Sequence, residues 1–253
     1  MDERFNFLGV SISATNLPEA ADRIMDYHFK SPGYICFPDA SVINEANRDP
    51  VLRSILNNAF ITMPDGKPSQ LVARLQGLRQ VTTVSGFHLC NNLLQSNLTH
   101  YFYGGNEEVI TRLKHRLSQQ YPEAHIIGYK AAPFVAREAI EANDIIKADI
   151  EEINRLKPNL VWIGISSPKQ DYLMHYFHNH LDRSLMLGIG GAFLYFSDEK
   201  LKSPEWLKKA GLRWAYRLCK EPLRLWPKYY STFKFLVSNS IFFVRIALKG
   251  RKS

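Results

Sequence analysis

"FITMPDGKPSQ", residues 60–70, decides how the chain is read. An apolar run stops at Pro64-Asp65-Gly66, a turn composition, and a helix-like pattern starts directly behind it. Asp65 therefore stands where a strand hands over to a helix. In open α/β sheets that edge is where ligands bind. The carboxylate is thus either turn chemistry alone or a group placed to take a proton, and both readings stay open on these residues.

Outward from this point the same alternation recurs. Strand-like runs are "FNFLGVSI" (5–12), "GYICFP" (33–38), "AFITM" (59–63), "THYFYGG" (99–105), "AHIIGY" (124–129), "PNLVWIGI" (158–165) and "SLMLGIGGAF" (184–193). Helix-like stretches lie between them. Residues 15–29 start with Thr15 or Asn16 as cap and Pro18 in the first turn. Residues 41–58 are divided by Pro50, and residues 106–121, 136–157 and 166–181 complete the set. Strands alternating with helices predict an α/β fold with a mainly parallel sheet over residues 1–196. No internal repeat, low-complexity tract or long linker interrupts it.

With 253 residues, 45% of them hydrophobic and 22% charged, the chain can bury a real core, and an ordered globular protein is expected. The start "MDERFNFLGV" has no signal-peptide pattern, so a cytoplasmic location is expected. Cys36, Cys90 and Cys219 are too few and too far apart for a disulfide framework or a zinc pattern. The formal charge of +8 is uneven: residues 199–253 carry 14 Lys/Arg against three Glu, while the rest of the chain is slightly acidic. After Phe196 the sequence also holds three of the four Trp, interleaved with Lys and Arg. Two units follow, an α/β domain (1–196) and a basic, aromatic-rich appendage (197–253) suited to an anionic surface.

Three stretches carry candidate chemistry. Gly104-Gly105 and Gly188-Ile189-Gly190-Gly191 each end a strand, where glycine lets backbone N–H groups approach a phosphate. Neither matches a Walker loop or the full dinucleotide fingerprint, and each alone also reads as a tight turn. "GISSPKQDYL" (164–173) allows Ser166 or Ser167 to cap the next helix, with Asp171 complementing its dipole. Lys169 and Gln170 are left over, placed to donate hydrogen bonds to a ligand diphosphate or sugar. No Asp-x-Asp pair follows a strand, no HExxH occurs and the His spacing fits no metal site, so no protein-bound metal or other cofactor is expected.

In order along the chain, the Pro-Asp-Gly turn, "YFYGG", "G-x-x-x-PKQD", "GIGGAF", "SPEW" and "GLRWAYRLCKEPLR" resemble the motifs of the WecG/TagA/CpsF glycosyltransferases over about residues 5–230. The resemblance implies a Rossmann-like catalytic body with helices on both faces and an appendage that docks on the membrane and helps complete the active site. It implies metal-independent, inverting transfer of a sugar from a UDP-sugar donor to a polyprenyl-diphosphate-linked saccharide acceptor, in surface polysaccharide or cell-wall polymer synthesis. It implies Asp65 as general base, Gln170 as the Gln of the PKQ motif, and Arg217 and Arg224 reaching the diphosphate. Gly66, Gly104, Gly105, Lys169, Gly190, Gly191 and Asp39 are the expected substrate-binding set, with Asp39 the alternative base because it too follows a strand. The chain departs from the family pattern at Phe37-Pro38-Asp39, at Thr83 to His88 and at Arg213.

"FKFLVSNSIFFVRIALKG" (233–250) is interrupted by Lys234, Asn239 and Arg245, so it is expected to lie in the interface of an anionic membrane rather than span it. Association with the inner face of the plasma membrane follows. A nicotinamide-dependent oxidoreductase would need a G-x-G-x-x-G turn after the first strand, where only one Gly stands. A nucleic-acid binder could use the basic aromatic tail. The acidic body and the lack of a binding module speak against nucleic acid, and a homo-oligomer stays open.

Overall fold

The computed structural model describes residues 3–197, helix 213–220 and isolated positions between 222 and 246. Its centre is a six-stranded, all-parallel sheet of order β4-β3-β8-β7-β5-β6. The strands are β3 (Pro32–Cys36), β4 (Ile61–Thr62), β5 (His100–Gly104), β6 (Ile126–Lys130), β7 (Leu160–Gly164) and β8 (Ser184–Gly188). The expected α/β fold with a mainly parallel sheet holds.

Helices cover both faces. On one side α2 (Ala40–Ala46), α3 (Pro50–Asn58), α7 (Asp144–Leu156) and α8 (Lys169–His178) pack on Tyr34, Cys36, Tyr101, Tyr103, Val161, Ile163 and Met186. On the other, α1 (Leu17–Met25), α5 (Gly86–Leu93), α6 (Glu107–Gln120) and α9 (Ala192–Ser197) pack on Ile35, Phe102, Leu160, Trp162, Leu185 and Leu187. Successive strand residues point to opposite layers, and both layers are dry. That is why these strands read as unbroken apolar runs and not as alternation. Between β4 and α5 lies α4 (Gly66–Leu75), and α10 (Arg213–Lys220) belongs to the basic segment.

Local chemistry sets the boundaries. Asn16 caps α1 by accepting from Glu19 N–H, and Asp49 caps α3, with Pro50 at its start. Pro50 thus divides residues 41–58 as expected, into α2 and α3. Residues 136–157 were expected to be one helix, but only a short turn (Arg137–Ala139) forms before α7. Asn143 accepts from Ile146 N–H and restarts the helix there, so a cap residue inside the periodic pattern outweighed the period.

The first strand-like run also departs from expectation. Residues 5–12 do not enter the parallel sheet; they form an antiparallel hairpin of β1 (Arg4–Phe7) and β2 (Val10–Ser13). Leu8 and Gly9 adopt φ of 52° and 86°, the pair of left-handed residues that a two-residue hairpin turn needs. The hairpin clasps the sheet's edge: Ser13 Oγ accepts from Thr62 N–H at 3.2 Å, and Arg4 Nη2 donates to Ala59 O at 2.7 Å and Phe60 O at 3.1 Å. It thereby fixes β4, and with it Asp65.

Far along the basic segment, Phe242 and Phe243 pack on Phe7 with ring centroids 6.1 Å apart in each case. Leu223, Trp226, Tyr230 and Val237 have helical backbone and stay exposed. No helix among the described residues is long and apolar enough to cross a membrane. The expected boundary between residues 196 and 197 falls beside the stretch 198–212, which lies outside the described residues.

Candidate active site

Every described candidate residue except those of the basic segment sits at the carboxyl edge of the sheet, because parallel strands deliver all their outgoing turns to the same side. Asp39 follows β3 and Asp65 follows β4, one strand further out. Both occupy the residue before a helix. Asp39 Oδ1 accepts from Ser41 N–H at 3.0 Å, Val42 N–H at 3.2 Å and Ser41 Oγ–H at 2.5 Å, so it closes the first turn of α2. Asp65 is half-buried and makes no capping hydrogen bond to α4. Behind it Gly66 takes φ 82°, a conformation that carries the chain sharply into α4 and that a side chain would strain. The turn is anchored through its backbone, with Val84 N–H donating to Pro64 O at 3.1 Å and Ser69 Oγ–H to Asp65 O at 3.2 Å.

The start of α8 supplies the floor. Gln170 is 1% exposed, and its Nε2 donates to Ser167 Oγ at 2.6 Å and to Gly188 O at 2.7 Å. Both amide hydrogens are engaged, which leaves Oε1 as an acceptor without a partner among the described residues. It lies beneath Gly190, where a Cβ would come within 3.2 Å of it, while around Gly191 there is open space. Ser167 does not cap α8, nor does any side chain. It serves Gln170 and Asp171 instead. Lys169 turns away toward the loop after β6, its Nζ 4.9 Å from the centre of the Phe134 ring.

Asp171, read from the sequence as a dipole complement, is 1% exposed. Burial pushes its carboxyl up to about 7, with the nearby Asp39 carboxylate adding to the rise, while hydrogen bonds from Cys36 and Ser167 oppose it. Burial and Asp171 together also push the Cys36 thiol well above its ordinary value. A carboxyl held in this state at the carboxyl edge of the sheet is a feature that sequence reasoning missed, since neither its burial nor the approach of Cys36 is visible in "PKQD".

Helix α5 was missed as well. Ser85 caps it, accepting from His88 N–H, and its Oγ lies 3.1 Å from His88 Nδ1. Gly86 lets this helix start against Ile189, since a Cβ there would meet Ile189 Cγ2 at 2.7 Å. The Asp65 turn, the first turn of α5 and the Gly188–Gly191 turn are therefore brought together. A Ser-x-x-His spacing was the signal that could have revealed the cap.

Gly104 and Gly105 stand apart. Four strand spacings separate β5 from β4, about 19 Å along the edge. A Cβ on Gly104 would lie 2.6 Å from the Gly164 carbonyl carbon, so that glycine is needed where β5 and β7 meet. Gly105 N–H donates to Gly164 O. Of the two arginines, Arg217 lies on α10 with its side chain outside the described residues, and Arg224 lies outside them altogether.

A doubly covered parallel sheet, with a carboxylate, a glycine turn and a buried amide meeting at its carboxyl edge, defines a ligand-binding α/β enzyme of Rossmann-like build. Residues 5–252 match the model of the Glycosyl transferase WecG/TagA/CpsF family, and the chain belongs to that family. It is a glycosyltransferase of the hexosyltransferase type. Three similar proteins carry the name N-acetylglucosaminyldiphosphoundecaprenol N-acetyl-beta-D-mannosaminyltransferase. That of Bacillus spizizenii is 26% identical over 198 residues, 77% of this chain and 73% of the relative. The Bacillus subtilis protein is 25% identical over 188 residues, 73% and 70%. The Staphylococcus aureus strain MW2 protein is 23% identical over 261 residues, 98% and 94%.

Proposed function

We propose that the protein transfers a sugar from a UDP-sugar to a polyprenyl-diphosphate-linked saccharide, with inversion and without a metal ion, in surface polysaccharide or cell-wall polymer synthesis. The names of the similar proteins supply the acceptor class: each is a transferase to an N-acetylglucosaminyl-diphosphoundecaprenol. The observation that carries the mechanism is Asp65, a half-buried carboxylate at the end of β4 that does not cap its own helix.

In this reading the acceptor hydroxyl gives its proton to Asp65 while its oxygen forms the new bond to the anomeric carbon. The bond to the departing UDP breaks on the opposite face of the sugar. One base suffices for inversion, and a positioned base contributes on the order of 10²–10⁴-fold in rate. Charge growing on the leaving diphosphate is met by the glycine-turn N–H groups and the cations of the basic segment, Arg217 and Arg224 among them. Gln170 braces α8 against β8 and presents Oε1 beneath Gly190. Residues 1–196 form the catalytic body and 197–253 the appendage that meets the membrane.

Leu223, Trp226, Tyr230 and Val237 follow one another at helical spacing and are 93%, 61%, 60% and 57% exposed. Such a stripe beside Lys and Arg suits the interface of an anionic leaflet on the cytoplasmic side, where each basic residue adds about 1 kcal/mol. Two experiments test the reading. Released UDP is measured with a panel of UDP-sugars and a polyprenyl-diphosphate-saccharide analogue in the presence of a chelator, and turnover confined to added divalent metal would remove the metal-free route. Sedimentation with anionic vesicles should weaken about tenfold when Trp226 and Tyr230 are replaced by Ala, and unchanged sedimentation would detach the stripe from the membrane.

A further inference from the structure

Beside α4 lies a cleft of about 400 Å³ lined by Lys67, Pro68, Gln70, Leu71, Arg74 and Phe243. Lys67, Gln70, Leu71 and Arg74 follow a spacing of three and four, so they form one stripe of α4. The stripe begins two residues after Asp65. No carboxylate is among the described residues that line the cleft. Lys67 Nζ donates only to Gln70 Oε1, at 3.2 Å, and Arg74 makes no ion pair or side-chain hydrogen bond among the described residues. Leu71 is 51% exposed, an apolar side chain open to whatever enters.

The order of groups along the helix is informative. At 1.5 Å per residue, Lys67 lies about 3 Å and Leu71 about 9 Å beyond Asp65. Helical side chains lean toward the N-terminus, so Arg74 reaches back along the strip. A base, a cation, an apolar side chain and a second cation leaning back toward it thus share one strip. A molecule matching that strip carries a hydroxyl near the base, phosphates between the two cations and hydrocarbon against the apolar side chains beside them. The base takes the acceptor's proton, so the groove nearest the base belongs to the acceptor, whereas UDP leaves from the other face of the sugar.

The geometry points to this cleft as the seat of the acceptor's diphosphate and first isoprenoid units. Lys67 and Arg74 take the phosphate oxygens, and Pro68, Leu71 and Phe243 hold the chain. The inference rests on the acceptor reading given above and adds a position to it. Phe243 comes from the basic appendage and is held by Phe7, so the appendage completes the apolar wall and couples its docking to acceptor binding.

The test uses the full chain in detergent with prenyl-diphosphate-N-acetylglucosamine analogues of long and short chain, and reads acceptor and UDP-sugar binding separately. Lys67→Ala and Arg74→Ala should each weaken acceptor binding about tenfold, the size of one charge-assisted contact, and leave UDP-sugar binding within about twofold. Phe243→Ala should weaken the long-chain analogue alone, and Lys67→Arg with Arg74→Lys should restore most of the binding. Matching melting curves establish that the variants fold. Acceptor binding unchanged by both charge removals overturns the seat, and so does an equal loss of donor binding. A wild-type chain that binds UDP-sugar yet neither binds nor glycosylates either analogue overturns the acceptor reading and the seat with it.

Discussion

Two Pro-Asp turns leave neighbouring strands at the same edge of the sheet, Pro38-Asp39 after β3 and Pro64-Asp65 after β4, and they use their carboxylates in opposite ways. Asp39 gives one oxygen to two backbone N–H groups and a hydroxyl of α2. Asp65 precedes α4 without capping it, and Gly66, the first residue of that helix, takes φ 82°. The lesson is that two carboxylates at equivalent turns can differ in whether they close the helix behind them. Both turns read Pro-Asp, and the residue that follows is Ala40 in one and Gly66 in the other.

The largest expected effect breaks this symmetry at Asp65. Asp65→Asn should lower turnover by on the order of 10²–10⁴-fold, with UDP-sugar binding measured separately and little changed. If Asp39→Asn were the variant with that loss and Asp65→Asn turned over normally, the two turns would exchange roles.

Next in size is the pH dependence that Asp171 imposes near the Asp39 turn. Its folded-state pKa of about 7 stands above its ordinary value of 3.8 because burial disfavours the charge, with Asp39 adding repulsion. Tyr34 and Cys36 on β3 face it as well, and their own raised values add no opposing positive charge. A carboxyl raised on folding gives its full contribution to stability below about pH 3.8. That contribution is lost as the pH rises toward 7, a change on the order of 4 kcal/mol. Asp171→Asn should therefore flatten the fall in stability between pH 4 and 7, read from denaturant midpoints at each pH. A wild-type curve with no such fall would mean that the carboxyl meets a cation or water on folding.

Smaller still is the cap itself. Asp39→Ala should cost about 1 kcal/mol of unfolding free energy, the ordinary loss for an N-cap. Asp65→Ala removes no cap hydrogen bond, so no loss of that origin is expected from it. Chemical denaturation of the two variants side by side sharpens the contrast, and equal losses would show that Asp65 carries structural work after all.

Much of this edge was legible in advance. "YICF", "HYFYG" and "LVWIG" are apolar without alternation, and only strands covered on both faces tolerate that, so a parallel sheet and its outgoing turns could be read directly. Glycine pairs at strand ends and the Pro-Asp-Gly turn marked the right side of the sheet. The errors have physical causes. Residues 5–12 looked like one strand because a turn of Leu8 and Gly9 hides inside an apolar run, and a left-handed leucine has no sequence signature. Residues 136–157 kept helical periodicity across Asn143, whose side chain competes for the backbone.

The sequence by itself determined the alternating elements, the acidic body with its basic arm, and the identity of the residues at the strand ends, because periodicity and turn chemistry act over a few neighbours. Only the tertiary structure decided which of those residues are engaged. It buried Asp171 beside Cys36, set both amide hydrogens of Gln170 on Ser167 and Gly188, needed Gly104 for Gly164, and closed a cleft along α4 with Phe243. Burial and hydrogen-bond occupancy depend on groups distant in the chain, and they set the charge and reach of every side chain at the site.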